Sequence, residues 1–304
     1  MSLMVKNEQA LNKGQLTVAA VQMEFDSAEP LNSRVSRLER LVSDVEDADL
    51  IVLPELWLHG GFSYETWRAD AISLDSDVLV RLSALAKHKK AWLHAGSYIE
   101  AGQGDAVGSM WNTSVLYNAA GAVHATYRKI HRFGFSEGEP TLIAAGDQPV
   151  VVEIQVGDAR AATGLSTCYD LRFPELYRHL SAESAALNLI PACWPMSRVE
   201  HWKVLGQARA IENQSFVVQC NMTGVDQGIE LGGNSQIIDG NGDILARAGR
   251  EETVISASLD LDALRKFRHS FPVLTDQRAD IWDIQGKDLR ERRLSTLAKA
   301  SYGR

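Results

Sequence analysis

Cys168 lies in the run Ser166-Thr-Cys-Tyr-Asp-Leu-Arg-Phe-Pro-Glu175, directly after the apolar stretch from Arg160 to Ser166. A strand that stops at a small and polar pair, followed by a helix opening at Pro174 and Glu175, exposes the intervening side chain on a sharp turn near a helix N-terminus. There the helix dipole is expected to favour thiolate over thiol, which makes Cys168 a candidate nucleophile. Two further residues stand at comparable strand ends: Glu55 after Leu50-Ile-Val-Leu-Pro54, and Lys129 after the run from Val123 to Arg128. A thiolate attacking an amide or nitrile carbon needs a proton acceptor, a proton donor to the departing nitrogen, and positive charge near the developing anion. Glu55 is the candidate for the first two roles and Lys129 for the third, with the peptide N–H of Tyr169 as a second oxyanion donor.

The environment must supply a definite amount of energy. With reference pKa values near 4.3 and 8.5, moving a proton from thiol to carboxylate is uphill by about 4 units, or roughly 6 kcal/mol. Lys129 lowers both groups, so the cation alone does not match them. Desolvation of Glu55 is required, and a water-poor pocket also strengthens the pull of Lys129 on an oxyanion.

The elements that must position these groups alternate along the chain. A strand over 16–23, a helix with Val35, Leu38, Leu41, Val42 and Val45 at helical spacing, and a strand over 50–53 make a βαβ opening. A helix near 78–89 leads into a strand over 92–98, and strands over 111–117 and 123–128 form a hairpin across Asn118-Ala-Ala-Gly121. The second half repeats the rhythm. Strands over 150–154 and 160–166 precede a helix from Pro174, a strand over 186–190 and a helix over about 198–213, and strands over 215–221, 235–238 and 244–248 follow. Helices must cover one face of each sheet and the bare faces must pack together, which predicts an α/β fold of four layers, an α-β-β-α sandwich. No Pro/Gly/Ser-rich linker divides the chain, so the reading is an N-terminal extension over 1–14, one domain over 15–270 and a tail over 271–304. The apolar residues of that tail, including Ile281, Trp282 and Leu289, are expected to pack on the body or on a partner subunit.

The bulk of the 304 residues is that of an ordinary folded protein, with 45% apolar and 23% charged residues. A net charge of −8 lacks the basic excess of nucleic-acid or anionic-membrane binders, so neither partner is expected. No run approaches the ~18 apolar residues of a membrane helix, and no signal-peptide pattern opens the chain. Cys168, Cys193 and Cys220 are too widely spaced for a zinc Cys-x-x-Cys site or a dense disulfide framework, which reads as reduced cytoplasmic thiols. The eight histidines include no His-x-x-x-His pair, so no metal is expected. Gly102-Gln-Gly104 and Gly240-Asn-Gly242 lack a strand-to-helix context and read as turns rather than nucleotide loops. His131, Cys193 and Cys220 read as structural.

Leu53-Pro-Glu-Leu56, Tyr127-Arg-Lys-Ile-His131 and Cys168-Tyr-Asp-Leu-Arg-Phe-Pro-Glu175 resemble, in that order, the three signatures of the nitrilase superfamily of carbon–nitrogen hydrolases. The similarity extends through Trp194-Pro, His201-Trp202, Ala208-Arg-Ala-Ile-Glu-Asn213 and Phe271-Pro-Val-Leu, covering about residues 15–282. The resemblance implies the α-β-β-α fold, a Glu-Lys-Cys triad of Glu55, Lys129 and Cys168, no cofactor, and a homodimer or higher homo-oligomer. It also implies a second glutamate that orients Lys129 and the attacking water; Glu139 matches by its distance from Ala145-Gly146, with Glu137 as the alternative. Cys168-Tyr-Asp-Leu-Arg-Phe-Pro followed by a Trp-Pro turn is similar to the omega-amidases and related small-amide amidases.

The expected activity is hydrolysis of a small aliphatic amide, a 2-oxo acid omega-amide being one such substrate, to carboxylate and ammonia through a thioester. Arg172 and Arg198 are the candidates for a substrate carboxylate. Each also has a structural reading: Arg172 paired with Asp170 or Glu175, Arg198 capping its helix. Trp194 reads equally as pocket wall or packed core. The loops over 56–64 and 225–234 are expected to line the pocket and set the substrate. N-carbamoyl hydrolysis, acyl transfer to an amine, and a catalytically idle oligomeric scaffold are the competing readings.

Overall fold

The computed structural model describes residues 14–134 and 137–278. The first half holds β1 (Gln15–Gln22), β2 (Glu24–Asp26), α1 (Leu31–Ser43), β3 (Leu50–Val52), α2 (Trp67–Asp70), α3 (Asp77–Lys89), β4 (Trp92–Ala101), β5 (Met110–Tyr117) and β6 (Val123–Arg128). Then follow α4 (Glu139–Leu142), β7 (Val150–Val156), β8 (Ala159–Leu165), α5 (Pro174–Ala182), β9 (Leu187–Ala192) and α6 (Val199–Asn213). The last elements are β10 (Phe216–Asn221), β11 (Thr223–Asp226), β12 (Ile229–Glu230), β13 (Gln236–Ile238), β14 (Ile244–Arg247), β15 (Thr253–Asp260) and α7 (Leu261–Ser270).

Two six-stranded sheets run β15-β1-β3-β4-β5-β6 and β14-β13-β10-β9-β8-β7. Each has three parallel strands at its centre, β1-β3-β4 and β8-β9-β10, flanked by antiparallel ones. Central parallel strands are covered on both faces, and Leu50, Ile51 and Val52 are accordingly all buried. On the outer face of the first sheet, Val35, Leu38 and Val42 of α1 pack with Leu79 and Leu82 of α3. On the second, Leu176, Tyr177 and Leu180 of α5 pack with Trp202 and Ala210 of α6. The bare faces meet: the Cys220 thiol on β10 donates to the carbonyls of Val21 and Val52, 3.2 Å away in each case. This is the four-layer sandwich expected from the sequence, and it accounts for Cys220 as a structural thiol.

Local chemistry sets the element ends. Pro174 opens α5 at its first position, where the missing N–H costs nothing. Lys90 closes α3 in the left-handed conformation, with Lys87, His88 and Lys89 against the negative end of the helix dipole. Two features had no counterpart in the sequence reading. β15 pairs with β1 along its whole length, yet only Leu259 of its eight residues is buried, so it shows no apolar pattern. The small sheet β12-β11-β2 is built from strands too short to carry one.

The described residues divide into two units, one ending at Lys266 and the other beginning at Phe267. In the second, the Phe271 N–H continues the turn of α7 onto the Phe267 carbonyl at 2.9 Å. Ile281, Trp282 and Leu289 of the tail lie outside the described residues.

Candidate active site

The turn bearing Cys168 is sharper than a simple strand-to-helix junction. Cys168 has φ +48°, in the left-handed region, and begins a 3-10 turn over Cys168–Arg172 before α5 starts. Asp170 anchors that turn: its Oδ2 accepts the Thr167 N–H at 2.9 Å and the Tyr127 hydroxyl at 2.6 Å. Its Oδ1 accepts the His131 N–H at 2.9 Å and meets His131 Nδ1 at 2.8 Å. The His131 ring also stacks on Phe173, so its structural reading stands. One buried carboxylate therefore joins the cysteine turn to the end of β6, where Lys129 follows.

Glu55 follows β3, Lys129 follows β6 and Glu139 opens α4; each is at most 3% exposed, and Cys168 is 7% exposed. Lys129 Nζ donates to Glu55 Oε1 at 2.8 Å and to Glu139 Oε1 at 2.9 Å. Glu139 Oε2 accepts the Phe133 N–H, whereas Glu137 is exposed, so Glu139 is the glutamate that reaches Lys129. The other Glu55 oxygen, Oε2, accepts the Cys193 N–H at 2.9 Å, and the Cys168 thiol lies within the field of the Glu55 carboxylate.

The electrostatics follow from this burial. Desolvation alone would depress the Lys129 ammonium, but the carboxylates of Glu139 and Glu55 outweigh it and hold it well above its ordinary range. Burial raises Glu139, against the pull of Lys129. Burial, and then the Glu55 carboxylate, push the Cys168 thiol well above its ordinary range, more than Lys129 lowers it. The expected dipole-favoured thiolate is therefore corrected. The resting group is a thiol, because Cys168 is buried beside an acid and is separated from α5 by the 3-10 turn.

Cys168, Glu55, Lys129 and Glu139 line one cavity together with Tyr169, Trp194, Arg172 and Arg198. Every candidate site residue from the sequence thus faces one space. Trp194 is a pocket wall, fixed by its Nε1–H to the Arg198 carbonyl at 2.8 Å. The partners expected in the structural readings of the two arginines are not the ones observed. Arg172 pairs with neither Asp170, whose oxygens are occupied as above, nor Glu175; its guanidinium lies 4.6 Å from the centre of the Trp194 ring and reaches His201 Nδ1 at 3.4 Å. Arg198 is the N-cap residue of α6 but makes no side-chain cap bond, and its guanidinium lies 5.5 Å from the centre of the Phe133 ring. Neither arginine has a carboxylate partner among the described residues. Burial, reinforced by Arg198, lowers the pKa of Arg172.

Of the two loops expected to line the cavity, 56–64 contributes Leu56, Gly61 and Phe62, but no residue of 225–234 is among its lining. The second loop acts from behind. Asp226 accepts the Phe62 N–H at 2.7 Å and the Ser63 hydroxyl at 2.6 Å, and the Gly232 N–H donates to the Trp194 carbonyl at 2.7 Å. Two residues escaped the sequence reading. Cys193, taken as purely structural, lines the cavity and presents its N–H to Glu55. Asn112 on β5 donates through Nδ2 to Glu55 Oε1 at 2.9 Å and to Glu139 Oε1 at 3.1 Å. The available signal was the polar run Asn112-Thr-Ser114 inside a strand, all three of whose residues are buried.

The carbon-nitrogen hydrolase family model matches residues 17–269. The chain belongs to this family. Among individual carbon-nitrogen hydrolases, it is 66% identical over 287 residues to the 2-oxoglutaramate amidase of Paenarthrobacter nicotinovorans, a match covering 94% of this chain and 98% of that protein. The 2-oxoglutaramate amidase of Bacillus subtilis (strain 168) is 36% identical over 270 residues, covering 88% and 99%. In the crystal structure of the C. elegans NitFhit protein, the match has a TM-score of 0.80 at 26% identity, covering 89% of this chain. This hydrolase spans 66% of the length of that longer protein.

Proposed function

We propose that this carbon-nitrogen hydrolase is an amidase that converts the terminal amide of a small aliphatic 2-oxo acid to a carboxylate and ammonia. The observation that carries the reading is the Cys168 thiol set against the buried Glu55–Lys129–Glu139 cluster, in a cavity that also holds two arginines without carboxylate partners. The two relatives named 2-oxoglutaramate amidase support the substrate class. A dianionic approach is avoided, because a 2-oxo acid omega-amide presents one carboxylate to the arginines and a neutral amide to the thiol.

In this reading Glu55 removes the Cys168 proton as sulfur attacks the amide carbon. The thiol is held protonated until then, so the nucleophile is generated only in the reacting complex. Lys129, kept cationic by its two carboxylates, and the Tyr169 N–H bind the tetrahedral oxyanion. Glu55 returns the proton to nitrogen as the C–N bond breaks, leaving the acyl thioester and ammonia. Water then attacks the thioester carbon while Glu55 takes its proton, the C–S bond breaks, and the sulfur recovers the proton. Glu139 orients Lys129 and the attacking water, and Arg172 and Arg198 hold the substrate carboxylate against the Trp194 wall. No step requires a cofactor.

The chain is further read as a homodimer or higher homo-oligomer. Val204 and Ile211, one above the other on α6, are 61% and 53% exposed, an apolar face that a second copy would cover. Free Cys168, Cys193 and Cys220 support a reducing, cytoplasmic location. Among the described residues, no helix is long and apolar enough to cross a membrane.

The test is ammonia release from 2-oxoglutaramate, glutamine, short neutral amides and N-carbamoyl amino acids, run with wild type and Cys168→Ala. Cysteine-dependent release greatest with 2-oxoglutaramate is expected. Release confined to N-carbamoyl substrates, accompanied by carbon dioxide, would overturn the amide assignment.

A further inference from the structure

The Glu55–Lys129–Glu139 cluster places two buried carboxylates around one cation, a net negative arrangement that burial alone would discourage. Asn112 stands at its centre. Its Nδ2 donates to the same two oxygens that Lys129 Nζ binds, Oε1 of Glu55 and Oε1 of Glu139, closing a ring of alternating donors and acceptors. Its backbone carbonyl accepts the Lys129 N–H at 2.9 Å. One residue of β5 thus touches all three charged members.

The orientation of the amide follows from the chemistry, since two carboxylate oxygens accept and only the NH₂ end donates. Its Oδ1 is buried without a partner among the described residues, a cost that an apolar side chain of the same size would avoid. Retaining the amide makes sense only if its two donors are needed. An amide adds them without adding charge, whereas a second cation would depress the base and a third carboxylate would compete for Lys129.

We infer that Asn112 is a positioning residue that holds the Glu55 carboxylate against Lys129 and so fixes its orientation in the cavity it shares with the Cys168 thiol. This rests on the reading of Glu55 as the proton acceptor. The ionisable groups facing Glu55 are Lys129 from the end of β6, Glu139 from α4, Cys168 from its turn, Cys193 beyond β9 and Tyr64 from the 56–64 loop. Asn112 is a neutral group whose amide bridges Glu55 and Glu139.

The experiment is the measurement of kcat and KM, with thermal melts, for wild type, Asn112→Asp and Asn112→Ser. A base held out of line slows the chemical step while the substrate still binds, so both variants are expected to lose kcat with a smaller change in KM, Asn112→Asp by about 10²-fold. If Asn112→Asp does not fold, the smaller Asn112→Ser carries the same test through its kcat. A folded variant with wild-type kcat, or one whose loss lies wholly in KM, overturns the inference. Cys168→Ala, assayed alongside, separates the two readings. If it stays active, the proposed function falls and takes this inference with it; if it is inactive while the folded Asn112 variants keep wild-type kcat, only this inference falls.

Discussion

The Tyr127 hydroxyl donates to Asp170 at 2.6 Å, two residues before Lys129 on one side and two residues after Cys168 on the other. This bond ties the segment that bears Lys129 to the turn that bears Cys168. Asp170 also closes the turn that holds Cys168 at positive φ, so one carboxylate sustains local strain and aligns two segments 43 residues apart.

Asp170→Asn is therefore expected to weaken both fold and catalysis, although Asp170 faces away from the reacting atoms. Its oxygens meet three donors and the His131 ring, and an amide presents one acceptor fewer. A stability loss of about 3 kcal/mol is expected by chemical denaturation, with kcat reduced more than KM is raised. Wild-type stability and kcat would contradict the anchoring role.

Cys168→Ala should abolish turnover and leave the fold intact, since it removes one buried sulfur from a cavity wall. Lys129→Met should cost kcat about 10²-fold or more. It should also destabilise the fold near neutral pH, because Glu55 and Glu139 would be left buried without their cation. Acidification should partly restore its melting temperature by protonating Glu139, which burial already raises. A Lys129→Met protein as stable as wild type at pH 7 would show that the cation does not hold the cluster together.

Arg172→Ala and Arg198→Ala should raise KM for 2-oxoglutaramate by roughly 10-fold or more, the loss of one charge-assisted contact. The kinetics of a short neutral amide should change far less. Equal effects on both substrates would place the arginines in the wall rather than at a carboxylate.

Acid should destabilise the protein through two buried histidines. Burial lowers His59 and His94 to about 4, from 6.5 in the unfolded chain, and both ring nitrogens of His94 lack a partner among the described residues. Between those values the unfolded state binds more protons, so stability falls as the pH drops from about 6.5 toward 4 and is fully present above that window. Each group contributes on the order of 3 kcal/mol to this loss. His94→Leu should flatten the fall in melting temperature between pH 7 and pH 4.5; an unchanged slope would rule out His94 as a source.

Val204→Glu combined with Ile211→Glu should shift the protein toward smaller species in analytical ultracentrifugation if α6 forms a subunit interface. An unchanged sedimentation coefficient would show that this face of α6 is not a subunit interface.

The sequence by itself determined the sandwich and the three strand ends bearing Glu55, Lys129 and Cys168. Buried central strands and amphipathic helices leave apolar patterns that depend on neighbours a few residues away, so they can be read locally. β15 and the small β2-β11-β12 sheet were illegible for the converse reason: half-exposed or very short strands have no such pattern. Only the tertiary structure decided the state and company of the reactive groups. Asn112 meets Glu55 across 57 residues, and the Cys193 N–H meets it across 138. The choice of Glu139 over Glu137, the freedom of Arg172 and Arg198 from carboxylates, and the protonated thiol of Cys168 likewise depend on which buried surfaces close on one another. Hydrogen bonding and desolvation act through space, and the spacing of residues along the chain carries no record of them.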